Sequence, residues 1–437
     1  MDSPFVVQIF DKAFSWIGVV GAPKRLDFTL RFTAVGLGEI DVASDDPMLD
    51  FMLAKGSRVR VTYKDAHLMS GPLRNPIGDL AISGLITFAI EDDYRLMPNT
   101  LGWVMPTETV RSGGLLAPLS LTDHAQAWTD AAGEPGLALG AGHYRFDESI
   151  TTAEAAVKDL ISKNMVTRLG RPVTVVADSG RGGDARSAGM LPSIRMARLD
   201  EAVADLLAWS GLGLRFGHDG VSPTITADVW EPVTWPLELS MVSGTVTSGS
   251  WSLTDPNATR IVVGGPGEDV ARAFWSFTGD GTLEDEYGDI IEVFRDATGA
   301  TLTWPDALAD AYQVAKYYLL RSDISQALKN EFIGYLNAAG LKGLMEGAPV
   351  TGLELVLSET EQFRFGPGGY DLGDLISVVT HGITFTDRIT EVHLSLTSTD
   401  GVQVTPRIGN RTDDPDETLA RAVAQLAASQ RRLSTNR

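Results

Sequence analysis

The chain of 437 residues contains no cysteine. Disulfide bonds and thiolate metal sites are therefore excluded, so packing or oligomerisation must stabilise the protein outside a cell. The sequence also lacks any apolar run of about 18 residues, and its start lacks the basic and apolar regions of a secretory signal. We therefore expect a soluble protein that is made in a cytoplasm and does not insert into membranes.

Basic residues are scarce. The chain has 36 Lys and Arg against 57 Asp and Glu, a formal net charge of -21 and a sequence pI of about 4.6. Nucleic-acid-binding proteins cluster Lys and Arg to displace counterions from phosphates, and this sequence has no such cluster. The composition argues against a conventional DNA-binding protein, and solubility is one explanation of the acidic excess.

Sequence signatures of catalysis are missing as well. The chain has no His-Glu-x-x-His, no Gly-x-Ser-x-Gly and no Gly-x-x-x-x-Gly-Lys motif. The acidic stretch from Asp280 to Asp289 lacks the alternating ligands and turn glycine of a calcium loop. The glycine-rich loop from Asp178 to Asp184 offers no base for Ser179. Six histidines are too scattered to predict a metal site: His67, His124, His143, His218, His381 and His393. We predict no catalytic, cofactor-binding or metal-binding residues and no cofactor.

Strand patterns occupy both ends of the chain. Alternating apolar residues predict strands in the first hundred residues, namely Leu26, Phe28, Leu30 and Phe32, then Val59, Val61 and Tyr63, then Ile86, Phe88 and Ile90. Near the C-terminus, Leu375 to Val379 and the alternation from Val392 to Leu396 predict further strands, and Asp400-Gly401 predicts a hairpin turn. These patterns indicate antiparallel barrels or sandwiches.

The middle of the chain reads as mixed α/β. Either Thr151 or Thr152 is placed to cap a helix that begins at the Ala153-Glu154 pair, and a second helix is predicted from about Asp200 to Gly211. A helical excursion with one apolar stripe is predicted over residues 305–343. The last residues, 412–437, predict an amphipathic helix, for which docking on its own domain and contact with a partner remain open.

The C-terminal motifs carry a family resemblance. Tyr-Asp-Leu-Gly-Asp-Leu at Tyr370 to Leu375, then Asp-Arg-Ile-Thr-Glu-Val at Asp387 to Val392, then a hairpin ending in Arg-Ile-Gly at Gly409, resemble the C-terminal hub domain of phage baseplate hub proteins. The pattern is similar in particular to tail-tip hub proteins of siphophages that infect actinobacteria. The order of elements elsewhere in the chain resembles the same family.

The resemblance implies an α+β fold. Two barrel-like antiparallel β hub domains would be interrupted by smaller α/β and helical inserts and followed by a C-terminal helix. The expected division is an N-terminal β-barrel hub domain over 1–106, an α/β insert over 107–245, strands returning to the second barrel over 246–303, a helical insert over 304–344, a C-terminal β-barrel hub domain over 345–411 and an amphipathic helix over 412–437.

The resemblance also implies a function. It predicts a structural, non-enzymatic minor tail protein of the virion tail tip, a homotrimeric ring that continues the tail tube and adapts its sixfold symmetry to a threefold tip. Genome DNA would pass through the lumen without specific binding. Expected partners are the distal tail protein ring, the C-terminus of the tape measure protein and other tail-tip proteins. The alternatives are a tail-associated cell-wall hydrolase or peptidase and a glycan-binding tip protein, which would need an exposed aromatic platform.

Overall fold

The protein is described by a computed structural model that covers residues 4–78, 84–103, 144, 146–192, 194, 196–240, 246–266, 272–297, 322, 325–357, 363–380, 383–397 and 401–409. Within this coverage, nineteen strands and five α-helices alternate along the chain. The predicted mixed α+β class is confirmed, and strands predominate. The predicted C-terminal helix over 412–437 lies outside the described residues.

The N-terminal region is a run of antiparallel strands. It contains β1 (Phe5–Phe10), β2 (Trp16–Val19), β3 (Arg25–Arg31), β4 (Leu37–Ala43), the short helix α1 (Leu49–Leu53), β5 (Arg58–Tyr63), β6 (Ala66–Gly78) and β7 (Leu85–Glu91). In β3, Leu26, Phe28 and Leu30 are buried, as their alternation predicts, because successive side chains of a strand point to opposite faces.

The region predicted to be an α/β insert follows β7 and a 3-10 helix at Asp93–Leu96. Its elements are α2 (Ala153–Ile161), a π-helical stretch (Ser162–Arg168), β8 (Val173–Val175), α3 (Leu199–Ser210), β9 (Gly213–Gly217) and β10 (Ile225–Trp230). Two predicted helix boundaries are confirmed. The Thr152 side chain accepts a hydrogen bond from the Ala155 N–H at 3.2 Å, and Gly211 ends α3 with φ +70°. The three strands form a separate sheet in the order β8-β10-β9.

The next region divides between two sheets. It contains β11 (Leu239–Ser240), β12 (Val246–Thr254), β13 (Arg260–Gly264), β14 (Phe274–Phe277), α4 (Thr282–Tyr287), β15 (Glu292–Asp296) and α5 (Gln326–Glu346). Strand β12 joins the C-terminal strands, whereas β13 to β15 form a three-stranded sheet of their own. The cause is burial against α5, since Ile261 and Val263 of β13 share a core with Phe332 and Leu336 of the helix.

The C-terminal strands complete the largest sheet. They are β16 (Val350–Leu357), β17 (Leu375–Thr380), β18 (Ile383–Thr397) and β19 (Gly401–Gly409). The thirteen-stranded sheet runs in the order β12-β16-β19-β18-β3-β4-β7-β6-β5-β1-β2, with β17 beside β18 and β11 beside β17. Strands β18 and β19 pair antiparallel with Thr397 opposite Gly401, while Asp400 of the predicted turn lies outside the described residues.

Strands from both ends of the chain meet where β3 pairs with β18. Phe28 lies opposite Leu394 and Leu30 lies opposite Val392, and all four side chains are buried in one hydrophobic cluster. Because this pairing fuses the two predicted hub regions into one sheet with a shared core, the arrangement of two closed barrels is not confirmed. Among the described helices, none combines the length and apolar character needed to cross a bilayer.

Candidate functional site at the junction between sheet and insert

The segment that carries the family resemblance, Tyr370 to Leu375, is a turn that leads into β17. The Tyr370 ring is buried and stacks on Phe363 with 4.3 Å between centroids, and Phe365 lies 5.7 Å away. Such aromatic packing removes a large apolar area from water and fixes the turn on the core.

Asp374 uses its carboxylate to join two distant parts of the chain. It accepts hydrogen bonds from the backbone N–H groups of Val233, at 3.0 Å, and Asp371, at 2.8 Å. Its backbone carbonyl accepts from the Ile389 N–H of β18 at 2.9 Å. A buried carboxylate needs such donors, so Asp374 holds the chain leaving the insert against the C-terminal strands.

Arg388 closes the same turn from β18. Its Nη1 donates to the Gly373 carbonyl at 3.0 Å, and its guanidinium lies over the Phe32 ring, 4.7 Å from the centroid. Burial lowers the pKa of Arg388 and raises the pKa of the neighbouring Asp387 carboxyl. The residues of both family motifs therefore act together as a structural clamp.

A cavity of about 530 Å³ lies between α3, the ends of β3 and β19 and the middle of β18. Arg31 Nε donates a hydrogen bond to Glu391 Oε2 at 3.0 Å across the β3–β18 pair. These two charged side chains of the cavity lining therefore pair with each other. Charges of both signs line the cavity: Arg31, Asp200, Asp387, Arg388, Glu391 and Arg407. Because the three positive and three negative charges balance, the cavity suits a polar group without net charge better than a strongly charged ligand.

A buried polar network holds the insert on the first strands. Arg58 Nη2 donates to both carboxylate oxygens of Asp93 at 2.6 Å, and Ser70 Oγ donates to Asp93 Oδ2 at 2.7 Å. The His218 N–H donates to Ser70 Oγ at 3.0 Å, while Arg60 Nε donates to the His218 carbonyl at 2.9 Å. Burial lowers the pKa of His218. The loop after β9 is thereby fixed to β5 and β6.

Large apolar side chains are exposed on β2 and β12, the two strands that end the main path through the largest sheet. On β2, Trp16 is 59% exposed and Val19 is 42% exposed. On β12, Trp251 is 47% exposed and Leu253 is 54% exposed. Edge strands present unpaired backbone groups, and apolar side chains there favour contact with another chain. Alternation in the sequence does not reveal which strand ends a sheet, so it does not predict this exposure.

Three of the six histidines lie in the described part of the chain. His218 is buried in the network around Asp93, His67 lies on β6, and His393 Nε2 lies 2.9 Å from Asp27 Oδ1. His124, His143 and His381 lie outside the described residues. Within the described ranges, no group of three or more His, Cys, Asp or Glu side chains could hold a metal ion.

The two loops that sequence motifs singled out have local roles. The acidic stretch from Asp280 to Asp289 contains α4. The glycine-rich loop is held by the buried Glu154, which accepts hydrogen bonds from Lys158 Nζ at 2.5 Å and the Arg181 N–H at 2.9 Å. Burial alone would raise the pKa of Glu154, but these hydrogen bonds lower it on balance.

Solved structures of tail proteins are similar to this chain at low identity. A tail protein from Neisseria meningitidis is 12% identical, with 93% of this chain and 96% of that chain covered and a TM-score of 0.47. The 43 kDa tail protein of prophage MuSo2 from Shewanella oneidensis is 10% identical, with coverage of 92% and 97% and a TM-score of 0.45. Prophage tail protein gp18 from Listeria monocytogenes is 10% identical, with coverage of 97% and 98% and a TM-score of 0.46. No curated protein matches the chain.

The sequence itself matches a siphophage family over more than half of its length. Residues 124–410 match the profile of the Siphovirus ReqiPepy6 Gp37-like proteins. This range contains the clamp of Tyr370 to Leu375, Asp387 and Arg388 on which the resemblance was based. The chain therefore belongs to the Siphovirus ReqiPepy6 Gp37-like family, which confirms the predicted relationship to siphophage tail proteins.

Proposed function

We propose that this protein is a structural hub of a siphophage tail tip. In this role three copies form a ring that continues the tail tube and adapts its sixfold symmetry to a threefold tip. Membership of the siphovirus family supports a place in the virion tail and a structural, non-enzymatic role. The distal tail protein ring, the C-terminus of the tape measure protein and other tail-tip proteins are the proposed neighbours.

The observation that carries the proposal is the exposure of apolar residues on β2 and β12, the strands that end the main path through the largest sheet. Trp16 on β2 and Leu253 on β12 lie at opposite ends of the strand order. Contacts between unlike edges of successive copies are heterologous, and such contacts close into a ring when the rotation between copies is a simple fraction of a turn. Burial of the two edges stabilises the ring, because each edge otherwise leaves apolar side chains in water.

The acidic composition supports the proposed lumen. A net charge of -21 repels the phosphate backbone of DNA, so a wall made of such subunits lets a genome pass without being retained. The two hub regions of each subunit, joined through β3 and β18, would line this lumen as six quasi-equivalent units in a trimer.

The oligomeric mass of the purified protein tests the proposal. We expect a trimer, alone or with neighbouring tail proteins, by native mass spectrometry. Leu253→Lys places a charge on the β12 edge and should give monomers with an unchanged unfolding transition. Val221→Lys, at an exposed turn away from the sheet edges, is the matched control and should leave the trimer intact. A strict monomer that binds none of the neighbouring tail proteins would contradict the hub role.

A further inference from the structure

The three-stranded sheet of β13, β14 and β15 has one covered face. Ile261 and Val263 pack with Phe332 of α5 in a shared core. Trp275 Nε1 donates to Asn337 Oδ1 of the same helix at 2.9 Å. Because side chains alternate across a strand, Val262, Phe274 and Phe294 lie on the opposite face.

That opposite face carries two exposed phenylalanines on either side of an arginine. Phe274 is 60% exposed and Phe294 is 54% exposed. The guanidinium carbon of Arg272 lies over both rings, 5.9 Å from the Phe274 centroid and 5.4 Å from the Phe294 centroid. We call these three residues the aromatic platform. Such rings contribute little to folding when they face water, whereas aromatic residues and arginine dominate binding at protein interfaces.

The platform is held in place by its own hydrogen bonds. Arg272 donates to the carbonyls of Gly264, at 3.0 Å, and Gly265, at 3.2 Å, and to Asp296 Oδ1 at 2.7 Å. A Cβ atom at Gly264 would lie 2.6 Å from Arg272 Nη2 and 2.7 Å from Phe294 Cζ, so glycine at this position makes room for the platform. A surface that is ordered before binding loses less conformational entropy when a partner arrives.

The chain segment that contains the platform, from Arg272 to the end of β15, is strongly acidic. Residues 272–297 contain seven acidic and two basic side chains, a net charge of -5, whereas the whole chain of 437 residues carries -21. Six of the seven carboxylates are exposed: Asp280, Asp285, Glu286, Asp289, Glu292 and Asp296. Charge complementarity therefore favours a basic occupant, and it disfavours both nucleic acid and a second copy of this acidic chain.

We propose that the aromatic platform binds a basic, partly apolar polypeptide segment of another protein. An aliphatic side chain of that segment packs on Phe274 and Phe294, and its Lys or Arg side chains lie against the surrounding carboxylates. The platform lies on a different sheet from the β2 and β12 edges, so this inference does not depend on the proposed ring.

Fluorescence anisotropy with the full chain tests the proposal. The probe is a labelled short peptide that alternates lysine and leucine. We expect saturable binding that weakens at about 0.5 M salt, because screening removes the electrostatic part of the attraction. Phe274→Ser with Phe294→Ser should weaken binding by about tenfold or more. The matched control, Ile77→Ser with Val221→Ser, removes two exposed apolar side chains elsewhere and should leave binding unchanged.

Charge variants separate local attraction from the effect of net charge. Asp289→Asn with Glu292→Gln should weaken peptide binding and reduce its salt dependence. Asp45→Asn with Asp50→Asn removes the same charge from another exposed site and should have no such effect. Equal losses in both charge variants, or unchanged binding in the phenylalanine variant, would show attraction to the acidic chain as a whole and overturn the proposal.

Further outcomes assign the platform to other occupants. Salt-independent binding of an N-acetylglucosamine oligomer that is lost in the phenylalanine variant would make the platform a glycan site and overturn the proposal. A change in the oligomeric mass of the phenylalanine variant would assign the platform to contacts between copies. If the wild-type chain binds no peptide, the proposal is also rejected. If the phenylalanine variant keeps its oligomeric mass but loses peptide binding, the proposal is supported, whether or not the protein forms a ring.

Discussion

Asp93 is a fully buried carboxylate that holds two parts of the molecule together. It accepts hydrogen bonds from Arg58 and Ser70, and Ser70 in turn accepts from the His218 N–H of the insert. Loss of one partner from a buried ion pair is costly because the remaining charge stays in a medium that solvates it poorly. The attachment of the insert to the first strands therefore depends on the negative charge of Asp93.

Asp93→Asn should lower the free energy of unfolding by about 3–5 kcal/mol, since it leaves the Arg58 charge without a counter-charge. Urea unfolding followed by circular dichroism measures the change. The same exchange at the exposed Asp285 is the matched control and should change stability by less than about 0.5 kcal/mol. If Asp93→Asn lowers the free energy of unfolding as little as the control does, water or other polar groups stabilise the Arg58 charge without Asp93.

The neighbouring Asp92 behaves differently. Burial raises the pKa of its carboxyl to about 7, whereas an aspartate in an unfolded chain ionises at a pKa of about 3.9. Below about pH 4 both states are protonated and the contribution of this group to stability is fully present. As the pH rises from about 4 to about 7, Asp92 ionises in the unfolded chain but stays protonated in the folded protein. Ionisation therefore stabilises the unfolded chain, and the contribution of Asp92 to the stability of the fold is lost.

Asp92→Asn should therefore become relatively more stable as the pH rises. The variant minus wild-type difference in free energy of unfolding is expected to increase by more than about 1 kcal/mol between pH 4 and pH 8. In the wild-type protein the Tyr94 N–H donates a hydrogen bond to Asp92 Oδ1 at 3.1 Å, and the side-chain oxygen of asparagine can accept the same hydrogen bond. Urea titrations across this pH range give the difference, and a value that does not vary with pH would contradict the raised pKa.

At the scale of elements, the turn before β17 depends on Gly373. Its φ of +94° lies in a region that side chains with a Cβ rarely adopt. A Cβ atom there would also lie 2.4 Å from Phe32 Cε2. Glycine is therefore required at position 373 for two reasons. The backbone conformation disfavours a Cβ atom, and the Phe32 ring, on which Arg388 stacks, lies too close to admit one.

Gly373→Ala should cost more than Gly401→Ala. At Gly401, φ is +69° and no atom would lie within 4 Å of an added Cβ, so only the left-handed conformation is penalised, by about 1–2 kcal/mol. At Gly373 the clash with Phe32 should add about 1–3 kcal/mol. Thermal and urea unfolding of both variants measure the difference, and equal costs would show that Phe32 moves aside freely.

The elements themselves were largely readable from local sequence. Thr152 caps α2 and Gly211 ends α3 because both signals act within a few residues of the chain. The alternation in β3 and β18 correctly marked their buried faces. The separate sheet of β13 to β15 was not predicted, because an apolar strand face can be covered equally well by a helix or by another strand.

At the scale of the whole molecule, the two ends of the chain depend on each other. Leu26, Phe28 and Leu30 of β3 pack in the same core as Val392 and Leu394 of β18. A fragment that lacks β18 exposes this apolar face to water and loses one partner of β3. The predicted N-terminal hub domain is therefore one part of a sheet that the C-terminal strands complete.

A fragment of residues 1–106 should lack a cooperative unfolding transition. The full chain, under the same conditions, should unfold cooperatively with a steep dependence on urea, since the slope of the transition grows with the surface exposed. Circular dichroism and tryptophan fluorescence follow both samples. A sharp transition in the fragment alone would show that the first region folds as an independent barrel.

The sequence by itself determined the class of fold, most strand and helix positions, the acidic surface and the family relationship, because periodicity, caps and motifs are local properties of the chain. Only the tertiary structure decided which faces meet. Arg31 and Glu391 are 360 positions apart yet lie 3.0 Å from each other, and Arg58 finds Asp93 across 35 positions. Alternation tells which side of a strand avoids water, but the partner that covers that side is chosen by packing of the whole chain.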